Sequence, residues 1–322
     1  MTPRQFLLPT SNFLLLLCLI GSSVSAAADD IGVLVLAHGG SERWNQAVKE
    51  TVAQAGLASA TEMVFGMGMH PREVQALQAA VDRLEQRGVT RIVVVPLLIS
   101  SASEVMRQFQ YLLGLRPDGP WPEHVKPVTI HVARTMTSTL FDDPPVVTEV
   151  LLERALELSR TPREETVVLV AHGPNGEEEN RQWLIVMEGV AKQLQQRGQF
   201  RSVIPVTMRD DAPRPIQTEA TRQMRALVRQ HSGHGRVLVV PVLLAQGGIE
   251  TKIPRRLRGL TYAYRGKTLL PHPTLARWIA EHVQRASASG ADASHGGATG
   301  PSAGCPPCAA RGGQPKSIVN RP

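Results

Sequence analysis

Two histidines stand at equivalent points of two similar segments of the chain. His38 lies in VLVLAHGG, residues 33–40, and His172 lies in VVLVAHGP, residues 167–174. In each segment an apolar run leads into His-Gly, and the glycine permits close approach of backbone or ligand. A neutral imidazole binds a divalent metal or accepts a proton near neutral pH. A single such histidine could simply cap the next helix or be satisfied by a loop carbonyl, but two at equivalent places favour a functional role.

A later apolar run in each half leads into a loop that contains a glutamate. Glu104 follows Pro96 by eight residues in PLLISSASE, and Glu250 follows Pro241 by nine in PVLLAQGGIE. Imidazole and carboxylate together suit a borderline divalent metal and leave positions open for a substrate. We therefore predict two metal-handling pairs, the first-half histidine with Glu104 and the second-half histidine with Glu250. The alternative for each glutamate is a solvated acid in the first turn of a helix.

The elements that would position these side chains form an alternating pattern. Apolar β-rich runs alternate with amphipathic helical segments such as PREVQALQAAVDRLEQRG from residue 31 to about residue 287. The predicted strands are 33–37, 63–67, 92–99 and 128–133, then 167–171, 203–208, 237–245 and, more weakly, 268–270. This pattern is typical of an α/β fold with a parallel sheet covered on both faces. Ligands bind at the carboxyl ends of such strands, where both histidines fall.

The two halves match each other, since RIVVVPLLIS at 91–100 pairs with RVLVVPVLLA at 236–245. We predict two flavodoxin-like parallel-sheet lobes related by internal duplication, over residues 29–160 and 161–287, facing each other across a cleft. Residues 288–322 are small and polar and predict a disordered tail. The tail contains a CxxC pair, Cys305 and Cys308, which suits either a local disulfide or metal capture.

The N-terminus predicts export. Residues 1–28 read as a signal peptide, with one arginine, an apolar run too short to span a bilayer and then small residues. We expect a soluble periplasmic protein without stable membrane insertion after cleavage; the alternative is an anchor formed by an uncleaved N-terminal segment. The net charge of +7 suits an anionic small ligand or a membrane surface. An aromatic content of 4% disfavours a base-stacking surface and therefore nucleic acid as a partner.

Four motifs together resemble a known family. LVLAHGG, VVVPLLIS, LVAHGP and VVPVLLAQGG followed by TKIPRRL are similar to class II tetrapyrrole chelatases, the CbiX-type family of sirohydrochlorin cobaltochelatases and ferrochelatases, in their duplicated form. The resemblance extends over residues 31–287. It implies a lyase of cobalamin and porphyrin biosynthesis that inserts Co²⁺ or Fe²⁺, or else Ni²⁺, into an anionic sirohydrochlorin-like tetrapyrrole. No nucleotide is implied, and the chain has no phosphate-binding glycine-rich loop.

The resemblance also implies residue roles. His38 and His172 take the place of the family's first metal-binding histidine, and Glu104 and Glu250 fall where the family has its second. The four would act in catalysis and in metal binding. The carboxylates of the macrocycle would need cations, for which we predict Arg107, Arg134, Lys252 and Arg255, although any one of these could equally be a helix-surface cation.

Three further residues follow the first strand or the second strand of a half. Trp44 and Trp183 follow the histidines and could wall a flat ring or pack in the core. His70 stands at a strand-to-helix junction, where the second half has Asp210 and Asp211 instead.

Two other functions remain as alternatives. A periplasmic metal- or haem-binding protein on a chelatase scaffold, without catalysis, is favoured by the replacement of the second histidine. A hydrolase is disfavoured, because GPSAG at 300–304 has no strand before it and no helix after it, as a nucleophile elbow requires.

Overall fold

The computed structural model describes residues 30–66, 69–117, 119 and 121–293. The first half contains β1 (Ile31–Ala37), α1 (Glu42–Gln54), β2 (Ala60–Phe65), α2 (Pro71–Gln86), β3 (Arg91–Leu97), α3 (Glu104–Leu112), β4 (Ala133–Met136) and α4 (Pro144–Leu156). The second half contains β5 (Thr166–Ala171), α5 (Glu177–Gly198), β6 (Ser202–Thr207), α6 (Arg214–Ser232), β7 (Val237–Val242), α7 (Ile249–Arg256) and α8 (Pro273–Ala293).

The strands form two parallel sheets, one in each lobe. Their orders are β2-β1-β3-β4 and β6-β5-β7, so the first strand of each half lies between the second and the third. Residues 33–37 and 167–171 are completely buried, as expected for central strands covered on both faces. The predicted pair of flavodoxin-like lobes is confirmed. This order brings the ends of β1, β2 and β3, and those of β5, β6 and β7, to one edge of each sheet.

Two predicted strands are wrong. The fourth strand of the first lobe lies at Ala133–Met136 rather than at 128–133. In the second lobe, residues 268–270 form no strand. The amides of Leu269 and Leu270 instead donate to the carbonyls of Leu243 and Leu244, 2.9 and 2.7 Å away, in the segment just after β7. Because these two amides already have carbonyl partners in a loop, the three residues do not add a strand to the sheet.

The last helix of each half packs against the other lobe. Helix α4 contacts α5 and β7 of the second lobe, whereas α8 contacts α1 and β3 of the first. Trp278 of α8 is buried, and its indole nitrogen donates to Asp143, which immediately precedes α4, at 3.1 Å. One apolar core consequently contains residues of both sheets and of both exchanged helices. This shared core holds the two lobes against each other with the cleft between them.

None of the helices within the described residues is long and apolar enough to cross a membrane. The predicted signal peptide and residues 294–322 of the predicted tail, with its cysteines, lie outside the described residues. The prediction of disorder is wrong for residues 288–293, which continue helix α8.

Candidate functional site

A cleft of about 320 Å³ lies between the lobes and is lined by residues from both. Its walls come from the segments that follow β1 and β3 in the first lobe and β5, β6 and β7 in the second, together with α1, α3, α5 and α7. Six aliphatic side chains contribute, namely Leu98, Ile99, Val105, Leu243, Leu244 and Ile249. The cleft therefore occupies the position at which ligands bind to open parallel sheets.

Both histidines line this cleft, and both have the same local geometry. His38 and His172 each follow the last residue of a central strand, and Nδ1 of each ring lies 2.9 Å from the carbonyl oxygen of the next glycine. A carbonyl only accepts, so Nδ1 must carry the hydrogen. In the neutral ring the lone pair is then on Nε2, which is the atom left to bind a metal or accept a proton. Gly39 and Gly173 have φ of 78° and 74°, which favours glycine at both places.

His172 has a carboxylate partner that our sequence analysis did not assign. Its Nε2 lies 3.2 Å from Oδ2 of Asp211, which follows β6. At this distance a divalent cation could be shared by the imidazole nitrogen and the carboxylate oxygen. Ligand atoms of His172, Asp210 and Asp211 all lie within 4.8 Å of one another. This end of the cleft therefore has a donor set of imidazole and carboxylate, as borderline divalent metals prefer.

Asp210 already has partners within the protein. It forms ion pairs with Lys252, at 2.5 Å, and with Arg256 of α7. Burial raises the pKa of Asp210, but the hydrogen bond from Lys252 and the charges of Arg256 and Lys252 outweigh this and hold the pKa below its usual value. The adjacent Asp211 is exposed at 67% of its side chain and faces His172. Asp210 thus anchors the loop, and Asp211 is the acid left for a ligand.

The first lobe lacks this arrangement. Within the described residues, no carboxylate forms an ion pair with His38, which is exposed. His70, the counterpart of the two aspartates, is the N-cap of α2, where its Nδ1 accepts from the amide of Arg72 at 3.2 Å. The two lobes therefore differ in chemistry although their histidines match.

The structure does not bring the two predicted glutamates to the histidines. Glu104 is an exposed residue at the start of α3 and accepts from Gln108 at 3.4 Å. Glu250 is buried, and its carboxylate accepts from the amides of Gly247 and Gly248 at 3.1 and 2.9 Å. Neither glutamate lines the cleft. Both lie in the first turn of a helix, where free backbone amides favour an acid.

Three of the four predicted ligand-binding cations are paired inside the protein. Arg107 donates to Glu179 of the other lobe at 2.6 Å, Arg134 donates to the carbonyls of Leu113 and Gly114, and Lys252 pairs with Asp210. Arg134 also lies near the amino end of β4, away from the cleft edge. Arg255 is exposed and forms no ion pair with any described residue. Among the described residues, none of these four lines the cleft.

Both tryptophans that follow the histidines line the cleft, and each contacts the opposite lobe. A Cβ added to Gly247 would lie 3.0 Å from the ring of Trp44, so glycine permits this close approach. The ring of Trp183 packs edge-on against Phe141, with centroids 5.4 Å apart. The buried indole N–H of Trp183 has no hydrogen-bond partner among the described residues. Trp44 is half-buried and presents part of its ring to the cleft, whereas Trp183 is buried and packs in the core.

The fold and the cleft define a class of protein. Two parallel-sheet lobes related by duplication, with a histidine from each lobe at the cleft between them, are the duplicated chelatase-like fold. The sequence model of the CbiX family matches residues 32–158 and 166–286, one match in each half, and this chain belongs to that family. The predicted family is confirmed.

The structure of SirB supports this fold. The chain is similar to SirB from Bacillus subtilis with Fe³⁺, at a TM-score of 0.57 and 17% identity, over 82% of this chain and 98% of SirB. It is also similar to DR2241 from Deinococcus radiodurans, a multi-domain protein with structural similarity to chelatases, at a TM-score of 0.48 and 21% identity, over 79% of this chain and 54% of that one. No curated protein matches the chain. At these identities the likeness to SirB establishes the shared fold alone.

Proposed function

We propose that this protein inserts a divalent metal, cobalt or iron, into a tetrapyrrole held in the cleft between the lobes, without a nucleotide. The observation that carries the proposal is the pairing of His172 with Asp211 in a cleft that also contains His38. Family membership supports the same reaction class. Sirohydrochlorin is the macrocycle expected from the family and is the first substrate to test.

The metal ion would bind at His172 and Asp211. The imidazole supplies Nε2, because its Nδ1 hydrogen is committed to the carbonyl of Gly173. The exposed carboxylate supplies charge that replaces part of the ion's water shell. Two protein ligands leave the remaining positions for water and then for pyrrole nitrogens. An ion held in this way can be handed on, whereas a full protein cage would retain it.

The macrocycle would lie beside Trp44, and His38 would accept protons. Insertion replaces two pyrrole N–H protons with the metal, so a base is needed near the ring. The Nε2 atom of His38 suits that role, since its Nδ1 donates to Gly39 and no carboxylate of the described residues pairs with the ring. Trp44, which is half-buried, offers an apolar face suited to a flat macrocycle, whereas Trp183 is buried in the core beside the cleft. Holding metal, base and ring together lowers the entropic cost of the reaction.

The second candidate is a periplasmic metal- or haem-binding protein on the chelatase scaffold, without catalysis. It is favoured by the positions of Glu104 and Glu250, which both lie away from the cleft lining and leave each histidine without the second family ligand. Both candidates retain export by residues 1–28 as part of the proposal. N-terminal sequencing of the mature protein from the periplasmic fraction tests that part.

The deciding experiment measures metal insertion by visible absorption. The mature protein is mixed with Co²⁺ or Fe²⁺ and a free-base macrocycle, sirohydrochlorin first and mesoporphyrin second. We compare it with His38→Ala, His172→Ala and, as a surface control, His131→Ala, whose ring is exposed and pairs with Glu85. Each variant is also titrated with metal alone.

A chelatase requires acceleration over the uncatalysed rate. His172→Ala should lose both insertion and metal binding, whereas His38→Ala should lose insertion and keep metal binding. Binding of metal or macrocycle without acceleration would replace this proposal with the carrier. If neither metal nor macrocycle binds, both candidates fail.

A further inference from the structure

The charge of the cleft lining restricts which macrocycle can enter. Among the described residues, no lysine or arginine lines the cleft, and the single acid there is Asp211. The rest of the lining is aliphatic, aromatic, glycine, alanine, serine and the two histidines. Resting on the proposed function, we infer that the substrate is a porphyrin whose carboxylates lie along one edge, and not a macrocycle with carboxylates on every ring.

Three of the cations on α3 and α7, the helices that contribute Val105 and Ile249 to the cleft lining, are already neutralised within the fold. Arg107 is paired with Glu179 across the lobes. Lys252 and Arg256 share Asp210. A ligand carboxylate could recruit any of these cations only by displacing an internal acid. That exchange leaves the acid without a partner, so it gains little.

Arg209, another cation in the second lobe, is buried and already forms hydrogen bonds within the protein. Its guanidinium donates to Glu177 at 3.0 Å and to the carbonyls of Pro174 and Asn175 in the loop after His172. These hydrogen bonds stabilise the loop and involve all three nitrogens of the guanidinium.

The position of carboxylates on the macrocycle then decides the outcome. An octacarboxylate of the sirohydrochlorin or uroporphyrin type carries two carboxylates on each of its four rings, so any edge that enters the cleft brings charges with it. Burying a carboxylate without a partner is strongly unfavourable, and Asp211 adds repulsion. A dicarboxylate porphyrin has both acids on neighbouring rings. Its opposite edge is apolar and can enter while the acids stay in water.

The apolar lining favours that second orientation. Leu98, Val105, Leu243 and Ile249 present aliphatic surface, and burial of apolar ring edge against it is favourable. Acids at the other edge of the macrocycle remain in water, where their charge carries no desolvation cost. The cleft lining therefore favours macrocycles according to where their carboxylates lie around the ring, and not according to the size of the ring.

The test is a binding titration of the mature protein with free-base mesoporphyrin, coproporphyrin and uroporphyrin, which carry two, four and eight carboxylates. Metal is omitted, and quenching of tryptophan fluorescence reports binding, since Trp44 and Trp183 line the cleft. We expect the affinity to fall along the series, by at least tenfold from the dicarboxylate to the octacarboxylate. Equal or tighter binding of uroporphyrin overturns the inference.

Two variants place a cation in the lining. Val105→Lys and Ile249→Lys should each narrow the preference for mesoporphyrin over uroporphyrin by about tenfold. The matched control is Ile185→Lys, at a residue of α5 that is 67% exposed and lies outside the cleft. The fold of each variant is checked by circular dichroism. One correctly folded cleft variant is sufficient to carry out the test. If both cleft variants fold and neither changes the preference for mesoporphyrin over uroporphyrin, the inference is also overturned. The porphyrin would then bind outside the cleft.

The outcomes separate this inference from the proposed function. If uroporphyrin or sirohydrochlorin binds tightly and is metallated, the inference fails and the chelatase stands. If none of the macrocycles binds, both fail.

Discussion

Asp211→Asn should weaken the binding of a divalent metal while leaving the fold intact. The carboxylate lies 3.2 Å from His172 Nε2, and its side chain is 67% exposed. Asparagine has the same shape and keeps one oxygen that can bind a metal, so the substitution removes mainly charge. No core contact depends on this side chain, and we expect the unfolding transition to be unchanged.

The size of the effect follows from the exposure of the site. A divalent ion about 2.1 Å from a carboxylate oxygen gains about 4 kcal/mol in a water-like dielectric. The water-like value applies because the carboxylate is mostly exposed. The asparagine oxygen and a water molecule should recover roughly half of that gain, which leaves a loss of about 2 kcal/mol, or roughly 30-fold in Kd.

The assay is a calorimetric titration of the mature protein with Co²⁺, without macrocycle. Asp30→Asn is the matched control, since Asp30 is an exposed aspartate just before β1, at the opposite end of the sheet. Unchanged Co²⁺ affinity in Asp211→Asn would refute the assignment of the metal to this end of the cleft. Loss of affinity in Glu104→Gln or Glu250→Gln would instead restore the pairs predicted from the sequence.

Three further substitutions test the scaffold. Gly173→Ala places a Cβ at a φ of 74° and 2.5 Å from the Cβ of Thr207, so we expect a loss of about 2 to 4 kcal/mol in the free energy of unfolding, measured with urea; a loss below about 1 kcal/mol would contradict this geometry. Arg107→Met removes a partly exposed ion pair with Glu179 and should cost less than about 1 kcal/mol without changing porphyrin affinity; weaker binding of every porphyrin would show that the arginine binds ligand. Burial holds the pKa of His282 below its usual value, so the unfolded chain takes up the proton first and stability should fall as the pH drops below about 6.5. His282→Gln should flatten that fall in urea titrations at pH 5 to 8 (about the range in which histidine titrates), and an unchanged slope would exclude this histidine as its source.

Much of the fold could be predicted from the sequence because the strands are buried on both faces. Runs such as 33–37 and 167–171 are apolar without alternation, which indicates central strands of a parallel sheet. The two His-Gly motifs follow these strands directly, so their position at the ligand-binding edge also followed from the pattern. The weak strand at 268–270 was wrong because a run with only two apolar residues, Leu269 and Leu270, can be satisfied equally well by a loop.

The candidate site was less predictable. Glu104 and Glu250 have carboxylates that could bind a metal, and they follow the strands expected from the sequence. Each lies in the first turn of a short helix, where Glu104 is exposed to solvent and Glu250 accepts hydrogen bonds from backbone amides. Asp211 had a signal, an acid just after the second strand of its half. Its meaning depended on the strand order, because β6 lies beside β5 and so brings this aspartate to His172. Three of the predicted cations likewise have partners inside the protein, since a sequence does not show which group each cation meets.

The sequence alone determines the duplication, the parallel strands and the placement of one histidine at the edge of each sheet, because these features depend on local hydrophobic patterns. Tertiary structure alone decides that α4 and α8 exchange lobes and that the cleft between the lobes is apolar and lacks cations among its described lining residues. The physical reason is that an amphipathic pattern shows that a face is buried without showing its partner. Two similar sheets offer similar partners, and only packing of the whole chain selects between them.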